Sequence, residues 1–494
     1  MTNKKLKTKA ASIAIAAALA LTGTVPSFAD EKTFEGAPEA PDITAESAII
    51  IDAGSGQVLY EKDADVERDP ASITKVLNLL VCLDTLDFDA EVTVDRNTDP
   101  TESSIKLQKG ETIKVSDIAY CMMLKSANDA AEYLGYLAGG DMETFCEMMN
   151  EKAASCGAKK TKYINPNGLN PYSVNNITTA RDIALVVREA MRDERFRTIV
   201  GTRSYTVPAT NKSEERKIYN SNRCLWNGDR VSELKALQKE AEENPPTYTV
   251  DEITGEKTMD PASAARNKEI RRLKNKTRYM VEGCIGVKTG YTSTAGGCFA
   301  GYASRGNTDI IVVVMKTEGR TDRFRESGKL WDYAFDNFES YTAAKSGEVQ
   351  YSQKVRRGTL RKVDLGIAND LKVTTLKGAD PESTVTTEMV LPEEKPTAPI
   401  KKGTVMGQLI AYDNGVEVSS QDLVTLEYVG KGGPLSYIGI ADENVPEFII
   451  MLVILLITLF FIIMVMRASA RNKKRRERRR QRRMQDSDGD SGKY

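Results

Sequence analysis

Residues 283–316, GCIGVKTGYTSTAGGCFAGYASRGNTDIIVVVMK, decide the fold. Apolar residues here do not recur at helical spacing. They come in short runs separated by glycine-rich turns, which predicts strands, the last of them 310–315. Such strands need partners, and the best ones lie far upstream. SAIIIDAGSGQVLYEKD, at 47–63, reads as two strands around Gly54-Ser55-Gly56. The text between is helical: from about Pro70, over 115–140 with a break near Ser126, over 142–157 ending at Gly157, and over 178–193. ESGKLWDYAFDNF, 326–338, adds a closing helix. Early strands, central helices, then late strands and a helix predict one α+β domain over 46–343, its first strands joining a late antiparallel sheet.

Outward from this domain the composition changes. Between about 346 and 437 the helical pattern vanishes and short β-branched, turn-bounded segments such as LKVTTL and LVTLEYV predict a small all-β, sandwich-like domain. Residues 448–466, FIIMLVILLITLFFIIMVM, carry no charge and as a helix rise about 28 Å, enough to cross a hydrocarbon core. The tail, 467–494, holds twelve Lys and Arg against four acids, a flank that stays on the cytoplasmic side. Residues 1–29 read as a signal sequence: four lysines, a short apolar run, then small residues at Ser27 and Ala29. Residues 30–45 read as a linker, and 228–280 as a highly charged helical insertion. The expected location is the cell membrane, single-pass, with the main domain outside. The chain sums to -1, so with basic ends its middle is acidic, which argues against nucleic acid as a partner.

The chain has no histidine. That excludes Ser-His-Asp and Cys-His catalysis and histidine metal sites. No phosphate-binding glycine loop, metal motif or cofactor motif is present, and the seven cysteines form no CxxC. A hydrolase here must take its base from elsewhere, and lysine is the obvious group.

Ser72-Ile73-Thr74-Lys75 offers one. SxxK alone is weak, since about two matches arise by chance in a chain this long, and Ser103/Lys106 and Ser232/Lys235 also match. Context separates the first. Pro70 suits an opening helical turn, Ser72 falls where backbone N–H groups lack partners, and Lys75 lies on the same face. Ser72 is then a candidate nucleophile whose own N–H can donate to an oxyanion, and Lys75 its base. Ser126-Ala127-Asn128 follows at the helix break, and Lys288-Thr289-Gly290 on a predicted strand. In this division of labour Lys288 and Thr289 hold a substrate carboxylate, and Gly290 lets the substrate backbone approach. The N–H of Tyr291 is the second oxyanion donor. Ser126 relays a proton to the leaving amine, and Asn128 holds a substrate amide.

SITK, SAN and KTG in this order resemble the active-site triplet of the serine penicillin-recognising enzymes. The surrounding phrases, among them IIIDAGSGQVLYEKDADVERDPASITK, YINPNGLN, YTVPATNK and GVKTGYTSTAGGC, resemble the low-molecular-weight D-alanyl-D-alanine carboxypeptidases over about 46–340. The β module resembles their second domain more loosely. The resemblance implies a β-lactamase/DD-peptidase-like fold and removal of the terminal D-alanine from peptidoglycan stem pentapeptides. It also implies an acyl-ester on Ser72, Lys75 as proton acceptor, Lys288 on the substrate, and β-lactams as inhibitors. The chain departs from that pattern in its full span, its basic tail and its long insertion. Two other readings stand beside it: a β-lactamase, for which the ExxLN motif is missing, and a catalytically idle membrane scaffold.

Overall fold

The apolar run at 310–315 is buried on both of its sides, and this sets the architecture. The computed structural model describes residues 31–98, 103–169, 176–252 and 254–488, so the expected signal sequence, 1–29, lies outside the described residues. The chain divides into two units. The first runs to Tyr341 and includes Lys372–Thr384; the second holds Thr342–Leu371 and the chain from Val385 onward. LKVTTL, read as part of the β module, thus belongs in part with the first unit.

The first unit is built on six strands: β1 (Glu31–Thr33), β2 (Ser47–Asp52), β3 (Val58–Lys62), β4 (Cys284–Thr292), β5 (Gly296–Arg305) and β6 (Thr308–Thr317). Their order in space is β1-β3-β2-β6-β5-β4, every pair antiparallel. The early hairpin therefore joins the late strands through β2 and β6, with Val312 opposite Ile50 and Val314 opposite Ala48. Side chains alternate between the faces of a strand. Ile311, Val313 and Met315, with Ile49 and Ile51, enter one core. Ile310, Val312 and Val314, with Ile50, enter another. Both faces are covered, so the run reads as continuously apolar rather than alternating.

Helices α1 (Lys75–Thr85), α2 (Asn128–Gly139), α3 (Met142–Ser155) and α4 (Ala180–Ala190) supply the first core. α1 is buried from Lys75 through Leu83, the behaviour of a helix apolar nearly all round. Two further helices, α5 (Gly228–Glu243) and α6 (Pro261–Thr277), form the charged insertion and are linked by the hairpin Tyr248–Val250/Lys257–Met259. No residue of α5 is buried, whereas α6 buries Ser263, Ile270 and Leu273. α7 (Asp322–Asn337) covers the opposite face of the sheet with Trp331 at its centre. The indole Nε1 donates to Ile310 O at 3.2 Å. Gly301 makes room for the ring, since a Cβ there would lie 2.4 Å from it.

Residues 30–45 are not a free linker. Glu31–Thr33 adds an edge strand, and Ile43 and Ala45 are buried. The Glu326 carboxylate accepts from Thr44 N at 3.1 Å, Ala45 N at 2.9 Å and the Thr44 hydroxyl at 2.6 Å. Two isolated apolar residues have no periodicity to read, and their anchor is a carboxylate far along the chain.

In the second unit five strands form one antiparallel sheet in the order Tyr351–Lys354, Lys362–Ile367, Val416–Thr425, Val405–Asp413, Val385–Val390. It ends in α8 (Val445–Asp488), whose apolar residues are exposed along 449–466. Among the described residues this is the one helix long and apolar enough to cross a membrane.

Trp331→Ala removes the largest fully buried side chain of the sheet–α7 layer. Chemical unfolding of the variant is expected to show a loss of about 3–5 kcal/mol, with the β6 carbonyl left without its indole donor.

Candidate active site

A buried lysine at the start of a core helix needs a structural reason. Ala71–Thr74 forms a 3₁₀ turn that runs straight into α1, so Ser72 and Lys75 lie one turn apart. Asp69 Oδ1 accepts from Ala71 N at 2.8 Å, and the Thr74 hydroxyl donates to Ala71 O at 2.8 Å. These bonds close the turn. Ser72 stays half-buried, while Lys75 is 0% exposed.

Lys75 Nζ has three close oxygens: Ser72 Oγ at 3.0 Å, Asn128 Oδ1 at 2.8 Å and the main-chain O of Asn167 at 2.5 Å. Burial pushes its pKa well below that of a free lysine. The Lys288 charge pushes the same way, and Glu132 and Asp129 partly oppose both. A neutral amine has two N–H bonds and one lone pair. Two of its partners, a side-chain amide oxygen and a backbone carbonyl, only accept. Both N–H bonds are therefore taken, and the lone pair is left for the one partner that can donate, the Ser72 hydroxyl.

The second motif sits at a backbone irregularity. The helix from Val115 widens into a π turn over Cys121–Lys125 and stops at Ser126, which is left-handed at φ 66°. π turns are concentrated at functional sites, and a non-glycine left-handed residue is uncommon. α2 then begins at Asn128. Its start is fixed by Asn128 N donating to Ser103 O at 2.7 Å and by Asp129, which accepts from Ser104 Oγ, Ile105 N and Leu107 N. Ser126 Oγ meets Lys288, not Lys75, with Nζ to Oγ at 3.0 Å. Asn128 meets Lys75.

Lys288, Thr289 and Gly290 lie on β4 and are all buried. Lys288 is 1% exposed and also donates to Thr289 O at 2.9 Å. Burial first, then the Arg323 charge, lowers its pKa to about 7. Gly290 is where β4 meets the serine turn: a Cβ there would lie 2.8 Å from Pro70 O and 3.3 Å from Ser72 N. Gly168, at φ +82°, approaches the same turn from the other side, where a Cβ would clash with Ala71 O. Gly290 and Gly168 thus close on the serine turn from two sides.

Some contacts were not read from the sequence. Asn167 presents a main-chain oxygen to Lys75, and its side chain donates to Glu132 at 2.6 Å. Ser221, outside the three motifs, holds the Thr289 hydroxyl at 2.9 Å. Arg323, at the start of α7, donates to Gly290 O at 2.9 Å. The order Ser-Asn around 221 was the available signal for one of them; a backbone carbonyl carries none. All seven cysteines are free thiols, none of them bonded to this cluster.

Comparison with known proteins gives the family of the chain. The family model described as D-alanyl-D-alanine carboxypeptidase (Peptidase_S11) matches residues 34–244 and 235–319, and that of the penicillin-binding protein 5 C-terminal domain matches 338–431. The chain is 28% identical over 418 residues to the D-alanyl-D-alanine carboxypeptidase DacC of Escherichia coli, covering 82% of this chain and 88% of that one. It is 25% identical over 402 residues to DacF of Bacillus subtilis, covering 80% and 88%. Penicillin binding protein 5 from Haemophilus influenzae has a similar solved structure, with TM-score 0.54 at 25% identity over 80% of this chain and 99% of that one. With its all-β second unit and its membrane-associating helix, the chain belongs to the D-alanyl-D-alanine carboxypeptidase family and is a serine-type D-Ala-D-Ala carboxypeptidase.

Proposed function

We propose that Ser72 is the nucleophile and Lys75 its general base, acting on the terminal D-Ala-D-Ala of peptidoglycan stem pentapeptides. The observation that carries this is the set of partners around Lys75 Nζ, which leaves its lone pair only the Ser72 hydroxyl. Ser72 Oγ attacks the carbonyl carbon of the penultimate D-alanine as its proton passes to Lys75. The oxyanion takes hydrogen bonds from Ser72 N–H and Tyr291 N–H, which the approach at Gly290 supports. The C–N bond breaks, Ser126 passes a proton from the lysine pair to the departing nitrogen, and D-alanine leaves. Water then hydrolyses the Ser72 ester, returning the hydroxyl to the enzyme.

Lys288 and Thr289 hold the terminal carboxylate, with Ser221 positioning the threonine hydroxyl. Asn128, expected to hold a substrate amide, has its Oδ1 on Lys75, so its first task is to orient the base. A β-lactam enters the same cycle: its ring amide acylates Ser72, but the nitrogen stays tethered and cannot clear the site. The α8 span and the basic tail support a membrane topology with the enzyme outside and residues 467–494 in the cytoplasm.

Intact-mass measurement after mixing with benzylpenicillin is expected to show one adduct, mapped to Ser72 and absent from Ser72→Ala. An adduct of equal yield on the variant would refute the assignment. Gly290→Ala, which forces β4 off the serine turn, is expected to slow acylation by about tenfold or more with the fold retained by circular dichroism. The pH profile tests the pair of lysines. Lys288⁺ helps hold Lys75 low, so removing it in Lys288→Gln raises the Lys75 pKa. The acidic limb of the acylation rate is then expected to move to higher pH, and an unmoved limb would show that the two groups do not interact.

A further inference from the structure

The second unit contains a basic cleft that the reaction does not use. Its volume is about 430 Å³, and its walls carry five cations: Lys354, Arg356, Arg357, Arg361 and Lys395. No Asp or Glu lines it. All five side chains are exposed, and none is in an ion pair among the described residues. Like charges gathered without counter-ions repel, so a fold that holds them together has a place for an anion.

The gathering is enforced by the main chain. Arg356 N donates to Pro396 O at 2.8 Å, and Ala398 N donates to Arg356 O at 3.0 Å, which draws the Lys395 segment against the arginines. Arg357 is left-handed at φ 55°, its carbonyl accepts from Gly432 N at 2.9 Å, and its guanidinium lies 5.0 Å from the centre of the Tyr437 ring.

The cleft is also tied to the entry of α8. Arg361 N donates to Glu443 Oε1 at 2.6 Å, and Glu443 N donates to Thr359 O at 3.2 Å. Asp442 is likewise held, accepting from Gly433 N at 2.9 Å. Asp442 and Glu443 thus accept from main-chain N–H groups, and α8 begins at Val445, with only Asn444 between. Tyr437 and Ile438, on the same rim, are 54% and 72% exposed. An aromatic and an aliphatic side chain beside unpaired cations, next to a spanning helix, is the chemistry of the headgroup layer.

We infer that this cleft seats the phosphate-bearing headgroup of an anionic phospholipid, pinning the second unit to the membrane surface at the point where the chain enters it. The inference rests on α8 crossing the membrane, and it gives the β unit a task beyond that of a spacer.

Tyr437→Trp keeps the stacking on Arg357 and places a reporter in the cleft, with the signal of Trp226 and Trp331 subtracted using the unsubstituted chain. The full chain in neutral detergent would be titrated with short-chain phosphatidylglycerol and, separately, with short-chain phosphatidylcholine. A saturable change with the anionic lipid alone is expected. It should weaken by about tenfold in Arg356→Gln/Arg361→Gln, with penicillin acylation unchanged to show an intact fold. Equal responses to both lipids, or an unaltered response in the double variant, would overturn the inference. So would glycerol 3-phosphate saturating the reporter at the lipid's own concentration, which would make the ligand a soluble phosphate ester. Loss of acylation in wild-type chain would instead strike the catalytic reading, and a chain that stays soluble without detergent would remove the span on which the site depends.

Discussion

An amine moved into a protein core loses its hydration, and the first unit is organised around one such group. Lys75 begins a helix buried along its length, so its stem must run through the core. Three oxygens gather at its tip, drawn from the serine turn, the start of α2 and the loop at Asn167. Each comes from a different part of the chain. Moving any one away leaves a buried nitrogen unsatisfied, which is costly in a medium of low polarity. The second buried lysine compounds the constraint. Lys288 sits on β4 among neighbours that include the Arg323 charge, and its own charge disfavours protonation of Lys75. An amine held well below the free-lysine value, beside a second brought down to about 7 by burial and the Arg323 charge, is suited to passing protons near neutral pH, which a free lysine is not.

The backbone irregularities follow from the same requirement. The π turn and left-handed Ser126 swing the second motif toward Lys288 while α2 starts with Asn128 on Lys75. One side chain more at Gly290 or Gly168 would push the serine turn out of place. These particular departures from regular geometry lie within a few residues of the reacting groups, where strain is held by the surrounding structure.

Much of this was legible in the sequence, for identifiable reasons. The strands at 47–62 and 284–317 announce themselves because apolar runs of β-branched residues bounded by glycine have few other uses. The three motifs were legible through their order and settings rather than through any one of them. What escaped notice was of another kind. Asn167 acts through a carbonyl that every residue owns. Ser221 and Arg323 look like ordinary polar residues until folding brings β4 beside them. Ser126 and Asn128 were read as a pair from their spacing, but the left-handed turn between helices sends them to different lysines. The segment before Ser47 was read as a tether because its two inward residues, Ile43 and Ala45, are too few to show a period, and the carboxylate that holds them belongs to α7.

The cysteines have a consequence of their own. Six of the seven thiols are buried and unpaired, and burial raises the pKa of each, Cys121, Cys284 and Cys298 to about 12. A thiol that is neither exposed nor ionised does not react. They are spread through the molecule's layers: Cys82 on α1, Cys121 at the π turn, Cys146 on α3, Cys284 on β4 and Cys298 on β5. Modification of any one records that the structure opened around it, so the rates at which the separate thiols are labelled chart, layer by layer, how the domain breathes.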